Sequence, residues 1–220
     1  NTSSLSAILY LDASINNLTE IDTSSMSSIT YLSLYDNLLT AVDLGNLTLV
    51  RTVYLMTNDL GYLNTANLTK VTDFRCYDNP NLINFDGTNL IDVSILVAYN
   101  CNFTNISLVN STNLTSLDLT NNNLTSLTLP TTASSFTTLR ININQLTALN
   151  VLPLTALNNL RINDNQFDNL VNSQILIDLD FNGLSNGILS SSIFGGGTLT
   201  TAGLAAKASL LAKGWTIVGL

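Results

Sequence analysis

The sequence predicts an α/β-type solenoid, a single curved domain of about nine right-handed coils dominated by short parallel β-strands. The first observation is a polar position that recurs every 21 or 22 residues. It is occupied by Asn16, Asn37, Asn58, Asn79, Cys101, Asn122, Asn144 and Asn165. The second observation is that apolar residues lie at fixed offsets around this position. Because no single coil can bury such an apolar face alone, the coils must stack.

The repeated pattern is LxxLxLxxNxLxxLxL, and it holds for eight units. The clearest unit runs through Leu114, Leu117, Leu119, Asn122, Leu124, Leu127 and Leu129. A ninth, degenerate unit is predicted at Leu176, Leu179 and Phe181. Since side chains alternate along a strand, each LxL triplet places two apolar side chains on one face of a short strand. The recurring Asn is predicted to be buried, with its amide bonded to the backbone where the chain leaves the strand.

This pattern resembles the consensus of the leucine-rich repeat family, which also accepts Cys at the Asn position, as at Cys101. The short period and the second half of each unit, such as LTSLTL at 124–129, are similar to the 21-residue class of internalin-like bacterial surface proteins. The resemblance covers residues 5–185. It implies a solenoid fold and a bacterial or bacteriophage surface protein that binds a host protein or glycan.

The C-terminal residues depart from the repeat. We expect the solenoid to cover residues 1–189, and residues 190–220 to form a loop and a capping helix and strand of the same domain. The helix is predicted over residues 202–213 and ends at Gly214. Its apolar face is expected to contain Leu204, Ala208 and Leu211. A closing strand is predicted at 215–218, where it would cover the last coil of the solenoid.

The amino-acid composition limits the classes of function that this chain can have. Charged residues make up 10% of the chain, the net charge is −8, and there is no His. Such an acidic chain is a poor match for nucleic acid or for anionic membranes. Without His, a His-based triad or metal site is excluded, and we expect no cofactor, no metal and no enzymatic activity. No apolar run approaches the roughly 18 residues of a membrane span, and the Asn, Thr and Ser content favours an extracellular or cell-surface location.

Two further motifs are predicted to bind no metal and to form no disulfide. The sequence DLDFNG at 178–183 resembles the first half of a calcium loop, but Leu189 stands where the loop needs its final acid. Cys76 is an LxL anchor, whereas Cys101 takes the Asn position one coil later. Because the two residues are out of register, we expect separate, buried thiols beyond disulfide reach.

The outward face of the first strand in each unit is the candidate binding surface. Six of the seven tyrosines fall on it, all in the first five repeats, whereas Tyr62 lies on the second strand of its unit. The predicted contact residues are Tyr31, Tyr35, Tyr54, Tyr77, Tyr99 and Arg75. Tyrosine is enriched at binding surfaces. The alternative is that the rings only stabilise the sheet through cross-strand pairs.

Arg140 and Arg161 are a secondary candidate site on the same face. They fall in one column, with Asp118 expected on one side and Asp180 on the other. One interpretation is a ladder of surface ion pairs that contributes little stability. The other is that the paired guanidinium groups hold a carboxylate or phosphate of a ligand.

Together these features predict an extracellular recognition or adhesion module that binds a cell-surface protein or glycan non-covalently through the strand face. The alternative is a structural scaffold or spacer in a surface assembly, filament or phage tail. No cap precedes Leu5, so we expect a further segment upstream and consider self-association through the uncapped N-terminal coil. Such self-association would distinguish the scaffold from the recognition module.

Overall fold

The computed structural model describes residues 6–220, which form a solenoid of parallel strands with two helices near the C-terminus. In chain order the elements are β1 (Tyr10–Asp12), β2 (Tyr31–Ser33), β3 (Ala41–Asp43), β4 (Thr52–Tyr54), β5 (Tyr62–Asn64), β6 (Asp73–Arg75), β7 (Ile95–Val97), β8 (Asn105–Ser107), β9 (Ser116–Asp118), β10 (Ser126–Thr128), β11 (Thr138–Arg140), β12 (Asn159–Arg161), α1 (Asn169–Phe181), β13 (Ile188–Ser190), α2 (Thr201–Ala212) and β14 (Thr216–Val218).

Ten of these strands form one parallel sheet in the order β1-β2-β4-β6-β7-β9-β11-β12-β13-β14. The second halves of four repeats form two smaller parallel pairs, β3 with β5 and β8 with β10. Each coil therefore contributes one strand to a continuous sheet, and some coils contribute a second strand to a short one. The predicted solenoid of parallel strands is confirmed.

The core is a set of columns built from the inward residues of successive strands. Leu96 on β7 is in register with Phe74 on β6 and with Leu117 on β9, and all three side chains are fully buried. Phe103, Phe136 and Phe167 are also fully buried, so aromatic rings fill the solenoid interior alongside leucine. Burying a side chain of this size contributes roughly 1.5–3 kcal/mol relative to leaving it exposed.

The repeated Asn forms a ladder of hydrogen bonds inside the solenoid. At Asn37 the amide Oδ1 accepts from the Leu18 N–H of the preceding coil at 3.0 Å. Its Nδ2 donates to the carbonyl of Ala13 in that coil and to Leu34 in its own. The same arrangement recurs at Asn58, Asn79, Asn122, Asn144 and Asn165. The prediction of buried Asn is wrong only at Asn16, which is exposed in the first described coil.

Cys101 takes the Asn position without an amide oxygen. Its Sγ donates to the Cys76 carbonyl at 3.3 Å, whereas the Leu82 N–H, left without a side-chain acceptor, donates to the Asn79 carbonyl. Contact with the Cys101 thiol, together with burial, raises the pKa of Cys76. The two cysteines are free and buried, as predicted, but the expectation that they lie apart is wrong. Cys101 points back toward the preceding coil, as each ladder Asn does, and so reaches Cys76.

The predicted ninth unit at Leu176, Leu179 and Phe181 is wrong, because these residues lie in α1. Asp168 caps the helix, because its Oδ1 accepts hydrogen bonds from the backbone N–H groups of Leu170 and Val171. Leu176 and Leu179 are buried at helical spacing, whereas Phe181 is 80% exposed. The ninth strand of the sheet is instead β13, which pairs with β12.

The C-terminal helix and strand are confirmed, with one correction. Thr200 caps α2 through a hydrogen bond from the Gly203 N–H, and Gly214 after the helix has a φ of +83°. The buried residues of α2 are Gly203, Ala206 and Leu210, whereas the expected apolar face is not buried, since Leu204 and Leu211 are about half exposed. The buried face of α2 is the one that packs against α1. The two helices lie so close there that a Cβ on Gly203 would lie 2.7 Å from the Ser173 side chain.

The calcium-loop resemblance at 178–183 falls on the end of α1 and the turn after it. Within residues 6–220 no group of three or more acidic, His or Cys side chains is arranged to hold a metal. Over the same residues, no helix has the length and apolar content needed to cross a bilayer. The uncapped N-terminal end expected at Leu5 lies outside the described residues.

Candidate recognition surface

The outward side of the ten-stranded sheet, here the sheet face, presents side chains in columns. Tyr10 and Tyr31 are in register in the first column, and Tyr54 and Arg75 are in register in the second. A third column follows the ends of the strands, where successive backbone hydrogen bonds align Tyr35, Met56, Tyr77 and Tyr99 with one another. The predicted contact residues therefore all lie on the sheet face. Tyr62 lies on β5 of a smaller sheet.

Three tyrosines form a first aromatic cluster, defined as Tyr10, Tyr31 and Tyr54. The rings of Tyr10 and Tyr31 stack with centroids 4.3 Å apart and planes within 5°. The ring of Tyr54 meets Tyr31 edge-on, with centroids 5.8 Å apart. Both arrangements are favourable for aromatic quadrupoles, at about 0.5–1.5 kcal/mol for each pair. Tyr10 belongs to this cluster although the predicted contact set omits it.

Arg75 ties the first cluster to the strand beside it. Its Nε and Nη2 donate to the two oxygens of Asp73 at 2.9 and 3.0 Å, a bidentate pair. The guanidinium carbon lies 5.2 Å from the centroid of the Tyr54 ring, which places the cation over an aromatic face. Tyr54 in turn donates its hydroxyl to Asp73 Oδ2 at 3.0 Å. These contacts hold the side chains of Tyr54 and Arg75 in one orientation.

Tyr77 and Tyr99 form a second aromatic cluster. Their rings stack with centroids 4.4 Å apart and planes 13° from parallel. Partial burial, with the nearby Tyr77 phenol as the next cause, raises the pKa of Tyr99 to about 12. Burial also raises the pKa values of Tyr31 and Tyr54. These hydroxyls are therefore neutral at physiological pH, and that of Tyr54 already donates to Asp73.

Tyr35 is the predicted contact residue that joins neither cluster. Met56 separates it from Tyr77 in the third column, and no ring contact of Tyr35 occurs among residues 6–220. The alternation of the repeat predicts the correct side of the sheet for each tyrosine. Which rings stack depends on side-chain rotamers, and no sequence pattern reports these.

The arginine column differs from its prediction at one end. Arg140 lies beside Asp118, with 3.6 Å between Nη1 and Oδ2, and is in register with Arg161. On the far side of Arg161 the neighbour is Ser190 of β13, not Asp180. Asp180 lies in α1 and pairs with Lys213 at 2.7 Å. The expectation that both arginines are flanked by acids is wrong, because the ninth unit is a helix.

The side chains of the sheet face are of kinds that make non-covalent contacts with a binding partner. It presents stacked phenol rings, phenol hydroxyls and the Arg75 guanidinium group, which Asp73 holds in position. Arg75 on this face is engaged in an ion pair with Asp73. A rigid face of aromatic and arginine side chains is typical of the residues that dominate binding energy at protein interfaces.

No protein-family model matches this chain, and no curated protein matches it either. Solved structures, in contrast, do match this chain. The functional domain of InlJ from Listeria monocytogenes, which includes a cysteine ladder, matches 88% of this chain with a TM-score of 0.75 and 24% identity. A leucine-rich-repeat protein of Leptospira interrogans matches 93% with a TM-score of 0.58 and 18% identity. YopM from Yersinia enterocolitica matches 87% with a TM-score of 0.55 and 22% identity.

The match covers 42% of the InlJ chain, 60% of the Leptospira chain and 43% of the YopM chain. At this identity the comparison concerns the fold. The chain is a leucine-rich-repeat solenoid, similar in architecture to bacterial proteins of that class. The solenoid fold that the repeat pattern implies is thereby confirmed.

Proposed function

We propose that this chain is a non-catalytic recognition module that binds a protein or glycan through the tyrosine-bearing half of the sheet face. The observation that carries the proposal is the pair of aromatic clusters on one face of neighbouring coils, both ordered by ring stacking and the first also by the Asp73–Arg75 pair at Tyr54. Aromatic side chains that are already ordered lose little conformational freedom on binding, which favours affinity.

The alternative, that the tyrosines serve only sheet stability, predicts a different distribution. Cross-strand aromatic pairs would stabilise the later strands of the sheet as well as the earlier ones. The strands after β7 instead carry Ser116, Thr138 and Asn159 in the column that holds Tyr10 and Tyr31. Confinement of the rings to one half of one face supports a binding patch.

An extracellular or cell-surface location belongs to the same proposal. The surface is rich in Asn, Thr and Ser, with 7 basic residues in 220. Stacked phenols suit either a peptide backbone and side chains or the apolar faces of sugar rings. We propose that the module acts in adhesion to a host or neighbouring cell.

Binding to a panel of cell-surface proteins and glycans tests the proposal. The wild-type chain is compared with a Tyr31→Ala, Tyr77→Ala, Tyr99→Ala variant, and Tyr62→Ala is the matched control on the smaller sheet. We expect the triple variant to lose binding while the control retains it, with circular dichroism confirming that each is folded. Equal binding by all three proteins would contradict the proposal. Sedimentation analysis is run in parallel, because assembly without any binding would favour the scaffold alternative.

A further inference from the structure

Arg140 on β11 and Arg161 on β12 are in-register neighbours whose guanidinium groups make little use of their donors. The 3.6 Å separation of Arg140 and Asp118 is that of an ion pair and exceeds a hydrogen bond. Arg140 Nε is shielded from solvent and has no hydrogen-bond partner. In the described part of the chain Arg161 forms no ion pair.

Arg75 on the same face differs, because its hydrogen-bond donors are engaged by protein partners. It donates twice to Asp73 and lies over an aromatic ring. A guanidinium group carries five N–H donors in a fixed fork. Arg140 and Arg161 therefore present adjacent guanidinium groups that no acceptor among residues 6–220 engages at hydrogen-bond distance, with Asp118 as the one ion-pair partner of Arg140 there.

The charge around this pair is also unbalanced. Backbones of neighbouring strands are about 4.8 Å apart, and like charges placed directly opposite each other destabilise a sheet. Ser190 continues the column where an acid was expected, so Asp118 is the one carboxylate of the column beside the two cations. An added anion between the guanidinium groups would relieve this repulsion.

We propose that Arg140 and Arg161 form a subsite for a carboxylate, supplied by an Asp or Glu side chain of a protein that docks on the sheet face. A carboxylate is planar and accepts two parallel hydrogen bonds from a guanidinium fork. A polyanion does not fit, because the chain carries a net charge of −8 and Asp118 adjoins the pair. This inference rests on the proposed function, in which the aromatic clusters supply the main contact.

The position of the subsite suits that role. Tyr99 follows β7, and β11 lies two strands further along the sheet, a distance of about 10 Å. A partner of ordinary size buries about 800 Å² on each side and would cover both regions. The aromatic clusters would then supply apolar contact, while the arginine pair fixes where an acidic residue of the partner must lie.

Glutarate is the probe, because it carries two carboxylates, and glutaramide is its neutral analogue. Binding is followed through the Nε–H NMR signals of the arginines in the whole chain at low ionic strength. We expect glutarate to shift the signals of Arg140 and Arg161 saturably and to leave that of the exposed Arg51 unchanged. Glutaramide should shift none of them, and inorganic phosphate should bind more weakly than glutarate.

Three variants test the assignment. Arg161→Gln should weaken glutarate binding at least about fivefold, because it removes one fork. Arg51→Gln makes the same change in net charge away from the pair and should leave binding unchanged. Asp118→Asn removes the competing carboxylate and should tighten binding about twofold or more. Thermal unfolding checks that each variant is folded.

Equal shifts at Arg51, binding of glutaramide, unchanged affinity in Arg161→Gln or tighter binding of phosphate would each overturn the carboxylate subsite. These outcomes need no macromolecular partner. Failure here is therefore distinguishable from failure of the aromatic clusters, which the tyrosine variants test on their own.

Discussion

The rings of Tyr77 and Tyr99 lie stacked on successive coils of the solenoid, with centroids 4.4 Å apart. The repeat places the two tyrosines at the same point of neighbouring units, about one strand spacing apart, and their rotamers bring the two rings into the stack. A repeat that buries its leucines thus presents its intervening residues as ordered columns. Ordered columns of phenol rings are the basis of the proposed binding surface.

The first prediction concerns the ionisation of Tyr99. Burial and the neighbouring phenol raise its pKa from 10.0 to about 12 in the folded state. Since the raised pKa favours the neutral form, the associated stability is present below pH 10.0 and is lost as the pH rises toward 12. The phenolate absorbance of the wild-type chain minus that of Tyr99→Phe should show a step near pH 12. A step near 10.0, as expected for the unfolded chain, would contradict the stacked, partly buried ring.

The second prediction concerns the asparagine ladder. Asn122 accepts from the Phe103 N–H and donates to the carbonyls of Ala98 and Leu119, all inside the core. Asn122→Ala leaves these groups unpaired, so we expect the free energy of unfolding to fall by about 3 kcal/mol. Asn123→Ala, which removes two exposed hydrogen bonds next to it, should cost less than about 0.5 kcal/mol. Chemical denaturation of both variants measures the difference, and equal losses would show that the ladder does not stabilise the core.

The third prediction concerns a strained backbone position. The residue before each ladder position has positive φ, and in one unit it is Ile143, with φ +59° and a half-exposed side chain. Asn tolerates this region far better than a β-branched residue, and Asn100 and Asn121 occupy it in other units. Ile143→Asn should therefore raise the free energy of unfolding by about 1 kcal/mol.

The matched control for this strain is Ile91→Asn, an exposed isoleucine without positive φ. It should leave stability unchanged or lower it, because no strain is relieved there. If both isoleucine variants change the unfolding midpoint in the same direction and amount, the effect is one of composition, and the strain argument fails.

The fourth prediction concerns the link between the two helices at acidic pH. The hydrogen bond and charge of Lys213 lower the pKa of Asp180 below its usual 3.8. A lowered pKa contributes stability that is present above pH 3.8 and is lost as the pH falls through the folded-state pKa. Wild type should exceed Asp180→Asn in stability by at most about 1 kcal/mol at neutral pH, since the pair is partly exposed. Unfolding temperatures of the two proteins should converge at low pH, and a constant gap would contradict the assignment.

Most of the fold follows from the sequence, because a strict repeat imposes the same local structure on each coil. The exception is the ninth unit, where Leu176 and Leu179 satisfy the repeat pattern but are also spaced for a helix. Asp168, as a helix cap, was the signal that could have distinguished the two. The same ambiguity explains why Asp180 was expected beside Arg161 but lies in α1.

Sequence reasoning located the candidate surface but not its internal contacts. Alternation places Tyr31 and Tyr54 on the outward side, but their edge-on contact depends on rotamers and on the anchoring of Tyr54 by Asp73. The contact of Cys76 with Cys101 was missed for a similar reason, since register alone does not give the direction of a side chain.

The central claim is that the tyrosine-bearing half of the sheet face is the binding surface. The most direct measurement is fluorine NMR of the chain labelled with fluorotyrosine, titrated with the partner that the panel identifies. The seven tyrosines include their own control, because Tyr62 lies on a smaller sheet. We predict that the signals of Tyr31, Tyr54, Tyr77 and Tyr99 shift or broaden while that of Tyr62 does not. A partner that perturbs Tyr62 and leaves the two clusters unchanged would contradict the claim.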